Sequence, residues 1–147
     1  MTGYRTFLAG VLIFGGGALG AEIALGIETT PAYSARVNYQ LQCMGCHGAD
    51  GSGEAGRVPS IRRTLVPFSL VPEGREFVLR VPGIAQSALN DHDVAVLLNW
   101  MARNLSDVPL PDNFVEYTAL EVSRFRHNPL TTVKTARERL LRNLLTR

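Results

Sequence analysis

The sequence predicts a small all-α domain followed by a helical C-terminal extension, and three observations predict it. Val94, Leu97, Leu98 and Met101 recur at the spacing of one buried helical face, with Trp100 beside them. Val133, Ala136, Leu140, Leu141 and Leu144 repeat that spacing near the end of the chain, with arginines assigned to the other side. At 147 residues and 46% hydrophobic content, the chain is long enough for one domain with a core. The reading divides it into a targeting segment (1–26), a central domain (33–105) and a basic extension (106–147).

The first segment has the form of an export signal. Arg5 supplies a positive charge, Thr6 to Ala21 is uncharged, and Ala18-Leu19-Gly20 and Ala24-Leu25-Gly26 offer small-residue cleavage patterns. Glu22 closes the apolar run short of the ~20 residues that a spanning helix needs, although a retained N-terminal membrane anchor is the alternative. Either way, the body is expected outside the cytoplasm, in the periplasm, soluble or anchored.

Charge is unevenly distributed. Up to Ala119 there are eight arginines against eleven acids, a balance of −3. From Leu120 onward, six arginines and Lys134 face Glu121 and Glu138, a balance of +5. No aromatic residues interleave the basic ones along a reading face, which points to a docking surface more than to nucleic acid.

The two cysteines stand in Cys43-Met44-Gly45-Cys46-His47. A disulfide closing so small a loop is a poor staple for a domain of this size. Two cysteines three positions apart on a helical turn reach both vinyl groups of a haem, and the adjacent histidine then lies under the iron. On this reading Cys43 and Cys46 carry the thioethers of one covalent haem c, and His47 is the proximal iron ligand. Three alternatives stand beside it. Zinc needs two further ligands, and only His92 and His127 remain among the histidines. A thioredoxin-like dithiol needs a strand before the motif, whereas Val37 to Gln42 reads as helix. The bland case is a chance match between two structural cysteines.

From about Tyr33 to Leu105 the chain resembles a class I cytochrome c domain, a small helical bundle wrapped around one covalent haem. The resemblance rests on a helix carrying Tyr39 into the motif and on the glycine-rich turn Gly48 to Gly53. It continues in Val58-Pro59-Ser60-Ile61 and in a helix opening at Asn90 or Asp91 and running to about Arg103. It implies that the Pro59 carbonyl fixes the tautomer of His47, and that Tyr39 and Trp100 meet where the first and last helices cross.

The chain departs from that family at the sixth ligand. The family supplies a methionine, usually followed by proline, before the last helix, where this sequence reads Arg80-Val81-Pro82-Gly83. Of the three methionines, Met1 belongs to the signal and Met44 to the attachment loop, which leaves Met101 as the candidate distal ligand or as a core residue. His92, Gln86, an asparagine or a five-coordinate iron are the alternatives. Leu65 to Val71 and Phe77 to Leu79 are expected to wall the distal side. Arg57 and Arg80 are candidates for the haem carboxylates.

Beyond Leu105, Asp107 to Asp112 reads as a proline-punctuated linker and Thr118-Ala119-Leu120-Glu121 as a capping box starting a helix to about Arg126. Thr131 or Thr132 caps a final helix through Leu145. That helix either packs with a solvated basic face or docks an acidic partner.

Together these features imply a non-enzymatic electron carrier between a redox partner, such as a periplasmic dehydrogenase, and an acceptor. Two further readings are a haem protein that binds small ligands at an open iron and a cytochrome subunit of a larger, membrane-associated complex. One attachment motif excludes a di-haem peroxidase.

Overall fold

The computed structural model describes residues 33–146, so the expected targeting segment lies outside the described residues. Helix α1 (Ala35–Gln42) begins where Ser34 Oγ accepts the Val37 N–H at 3.3 Å. It stops at Cys43, whose φ of −125° leaves the helical range, and one further turn, α2 (Met44–His47), carries the motif. A loop with an isolated Glu54–Val58 bridge leads to α3 (Ile61–Ser69) and α4 (Pro72–Arg80). The short α5 (Pro82–Ala85) and the long α6 (Asp91–Asn104) follow, then α7 (Ala119–Arg126) and α8 (Val133–Leu145). The described residues form no strand, so the all-α expectation holds. None of their helices is long and apolar enough to cross a membrane.

Helix α6 is capped by Asn90, whose Oδ1 accepts the Asp93 N–H at 2.8 Å, and it buries Val94, Leu97, Leu98 and Met101 as its periodicity requires. It packs against α1 through Tyr39 and Trp100, whose ring centroids lie 5.8 Å apart at 44°. Tyr39 also donates its hydroxyl to Gly48 O at 2.6 Å, which pins α1 to the turn after His47.

The expected distal wall proves to be two helices. Pro67 sits inside α3, and Pro72 opens α4 at a position where its missing N–H costs nothing. Phe68 of α3 meets Phe77 of α4 edge to face at 5.5 Å.

The segment after Leu105 is bound along the body by long-range polar contacts. Arg62 pairs with both Asp50 and Asp107. The buried Asn99 amide donates to Tyr117 O at 3.0 Å and accepts the Tyr117 N–H at 2.8 Å, imitating a strand pairing. Arg75 lies 4.1 Å over the Tyr117 ring and grips both oxygens of Glu121 at 2.7 and 2.6 Å. The capping box is therefore only half formed. Thr118 Oγ1 accepts the Glu121 N–H at 3.2 Å, but Arg75 claims the Glu121 carboxylate. Arg126, 7% exposed, donates to Ser87 O and Leu89 O at 2.9 and 2.8 Å and pairs with Asp91. The approach to α8 is fixed by Leu130 N–H on Arg80 O at 2.8 Å and by Arg80 Nε on Asn128 O at 2.7 Å.

Tyr117 is 3% exposed, and its hydroxyl meets Ser69 Oγ at 2.8 Å. Burial pushes the hydroxyl up to about 12, against the lowering effects of Ser69 and Arg75. Between about pH 10 and 12 the unfolded chain therefore releases this proton while the folded chain keeps it. Stability is expected to fall across that window by up to roughly 1.4 kcal/mol per pH unit. Tyr39, also raised chiefly by burial, adds in the same direction. Denaturant unfolding at pH 9 and pH 11 checks this, and Tyr117→Phe should flatten the decline without abolishing it.

Candidate cofactor site

The turn of α2 sets the site by local geometry. The His47 N–H donates to Cys43 O at 3.0 Å and the Gly48 N–H to Met44 O at 2.9 Å, so both cysteines and the histidine share one turn. The chain then reverses. Gly53 N–H donates to His47 O at 2.9 Å, and Glu54 and Val58 exchange backbone bonds at 2.9 and 2.8 Å. Gly53 has a φ of +72°, and a Cβ there would lie within 2.8 Å of Pro59 O. Only glycine fits that approach, which brings Pro59 back to the histidine.

The His47 Nδ1 lies 3.2 Å from Pro59 O. A carbonyl only accepts, so Nδ1 carries the proton and Nε2 is left with its lone pair for a metal. Burial lowers the affinity of the ring for a second proton, against the raising effect of the Pro59 carbonyl. Burial is the larger of the two, so the balance favours a neutral, ligating imidazole.

His47, Cys43 and Pro59 open onto a cleft of about 560 Å³. Leu65, Phe68, Val78, Ile84, Leu98 and Met101 supply apolar walls. This is the size and character of a cofactor pocket. Cys46 is exposed on the turn, and Cys43 is half-buried. Burial, and then the neighbouring Cys46, pushes the Cys43 thiol up to about 11, so it stays protonated at neutral pH.

The structure separates the remaining candidates. Met101 and Val81 both line the cleft, whereas His92 and Gln86 do not. His92 sits in the first turn of α6 with Nδ1 3.4 Å from Asp93, and its side chain is 43% exposed. Arg57 lines the cleft, paired at 3.0 Å with Glu54. Arg80 does not line it, because Glu76 at 2.6 Å and the Asn128 carbonyl occupy its guanidinium. Arg137 of α8 also lines the cleft, against the expectation that the arginines of this helix share its outer face.

The alternatives to haem fare poorly. Among the described residues no group of three or more His, Cys, Asp or Glu side chains gathers to hold a metal. A helix, and not a strand, precedes the motif. The donor set fits haem: the Cys43 thiol and an imidazole with its far nitrogen free open onto an apolar cleft, and the Cys46 thiol is exposed on the same turn.

The chain is similar to cytochrome c-552. That protein of Thermus thermophilus is 28% identical over 116 residues, which cover 67% of this chain and 88% of the relative. A second cytochrome c-552, from a named strain of Thermus thermophilus, is likewise 28% identical, with 78% of its length covered. No protein-family model matches the chain. The likeness and the spacing of Cys43, Cys46 and His47 support a haem c cofactor and an electron-transfer haem protein.

Proposed function

We propose that this chain is an exported c-type cytochrome of class I form, carrying one covalent haem and passing single electrons between a periplasmic dehydrogenase or similar redox partner and an acceptor. The observation that carries the reading is the His47–Pro59 hydrogen bond of 3.2 Å at the foot of an apolar cleft that Cys43 also lines. Cys43 and Cys46 hold the porphyrin and His47 its iron, while Pro59 orients the imidazole. When bound, the haem supplies reversible one-electron storage at iron. The protein excludes water through α3 and α4 and keeps His47 in one tautomer. Among the described residues no Asp, Glu or second His lines the largely apolar cleft, which suits an electron carrier better than peroxide chemistry.

Met101 is the candidate sixth ligand, since it is the methionine that lines the cleft. The competing reading, an open iron that binds small ligands, draws on Val81, which also lines the cleft and stands where the resembling family has methionine. Protein made alongside haem-maturation machinery is expected to show the mass of polypeptide plus one haem under denaturing conditions. Its oxidised form is expected to absorb at the red end through sulfur-to-iron charge transfer, and Met101→Ala is expected to abolish that band. A mass equal to the bare polypeptide refutes the whole reading. Rapid binding of carbon monoxide by the reduced protein, with no red band, transfers the assignment to ligand binding.

A further inference from the structure

Helix α8 carries a cation where its pattern calls for an apolar side chain. At about 100° per residue, position 137 falls inside the arc spanned by Val133, Ala136, Leu140, Leu141 and Leu144. This arc faces the body: Leu140 is 6% exposed, and Leu141 and Leu144 pack against the core. Arg137 is accordingly half-buried, whereas Arg139 and Arg142 are exposed.

Arg137 and Val133 reach the mouth of the 560 Å³ cleft. Arg57 and Arg137 are its charged lining residues, and no Asp or Glu lines it. Glu54, Asp107 and Glu138 line an adjoining groove. Glu54 pairs with Arg57 and Asp107 with Arg62, while Arg137 has no hydrogen bond or ion pair among the described residues. Its guanidinium is therefore free of protein partners at the cleft, and its planar fork matches a carboxylate. An apolar cleft with a cationic mouth suits a large flat ligand that is apolar in body and anionic at one edge.

We propose that Arg137 is a cofactor-binding residue whose guanidinium holds a carboxylate of the porphyrin, making α8 part of the haem site. The inference rests on the haem reading above. It also gives the basic extension a role inside the molecule. The Leu130 and Arg80 backbone bonds, and the buried Leu140, then serve to hold this guanidinium at the cleft.

The test uses the full-length protein with haem attached, its covalent mass established first. Failure to acquire haem sinks the underlying reading, whereas the following outcomes judge Arg137 alone. Removing a cation from beside the haem favours the ferric form. Arg137→Gln is expected to shift the ferric-to-ferrous ratio about fivefold toward ferric at fixed potential, roughly 40 mV at 59 mV per tenfold. It should also move the propionate bending mode in the resonance Raman spectrum. Arg137→Lys should recover most of the potential, because the charge remains, but not the Raman band, because the fork is lost. Arg142→Gln removes the same charge from the exposed face and should change neither readout. The proposal is overturned if Arg137→Gln leaves both readouts at wild-type values, or if Arg142→Gln shifts them equally. Should Arg137→Gln fail to fold, Arg137→Lys decides: an unmoved Raman band in that variant also overturns it.

Discussion

A chain carrying Cys43→Ala together with Cys46→Ala is expected to contain no covalent haem and to unfold at a temperature on the order of 20 °C lower than wild type. The reasoning starts from the walls of the cleft. Leu65, Phe68, Val78, Ile84 and Leu98 are each less than 9% exposed, yet they face about 560 Å³ of space that no protein atom fills. Deprived of a covalent occupant, those side chains either wet or collapse. If a third of this volume stays empty as the cleft collapses, roughly 24 cal/mol per Å³ of cavity amounts to about 4.5 kcal/mol. Domains are typically stable by only about 5–15 kcal/mol, so the variant is left marginal. Denaturing mass spectrometry checks the first half of the expectation and a thermal melt the second. An unchanged melting temperature would show that the walls close on themselves and that the haem is not part of the core.

Gly74→Ala is the second change with a large expected effect, and it lies outside the motif. Gly74 occupies the first turn of α4 and rests directly on the end of α3. A Cβ there would fall on the carbonyl oxygen of Phe68, well inside van der Waals contact, with the Phe68 C and Cα both 2.8 Å away. These are backbone atoms in a buried helix end, so no rotamer change relieves them and the two helices must separate. Overpacking of this kind costs about 3 kcal/mol. The damage also reaches the cleft, because Phe68 and Phe77 hold their edge-to-face contact only while α3 and α4 stay close. The expected result is a melting temperature lowered by about 10 °C or more, with altered haem absorption. A variant that melts within a degree or two of wild type would mean that the helix contact is looser than its geometry states.

Much of the domain was legible in the sequence because the relevant forces act over a few residues. The caps at Asn90 and Thr118 and the buried face of α6 are relations among residues three or four apart. The turn from Cys43 to His47 is likewise contained in five consecutive residues. Helices α3 and α4 were harder to read. Proline inside an apolar run argues locally against a helix, yet α3 carries Pro67 in its last turn and forgoes the bond that an N–H there would make to the Arg63 carbonyl.

Glu121 shows how a correct local reading is overridden. Its place three residues after Thr118 is that of a capping-box partner, but a charge-assisted bidentate pairing with Arg75 is stronger than a return bond to the cap. Arginine roles were the least legible of all. Arg75, Arg80, Arg126 and Arg137 are alike in sequence. One stacks on Tyr117, one tethers Asn128, one fills the carbonyls of Ser87 and Leu89, and one faces the cleft.

By itself, then, the sequence determined the helical class, the attachment turn and the likeness to a c-type cytochrome, since each is written in contacts between near neighbours along the chain. The tertiary structure alone decided which arginines line the cleft, why position 74 excludes a methyl group, and how the segment beyond Leu105 is fastened. Those outcomes depend on distances between groups dozens of residues apart, which only the packing of the helices sets.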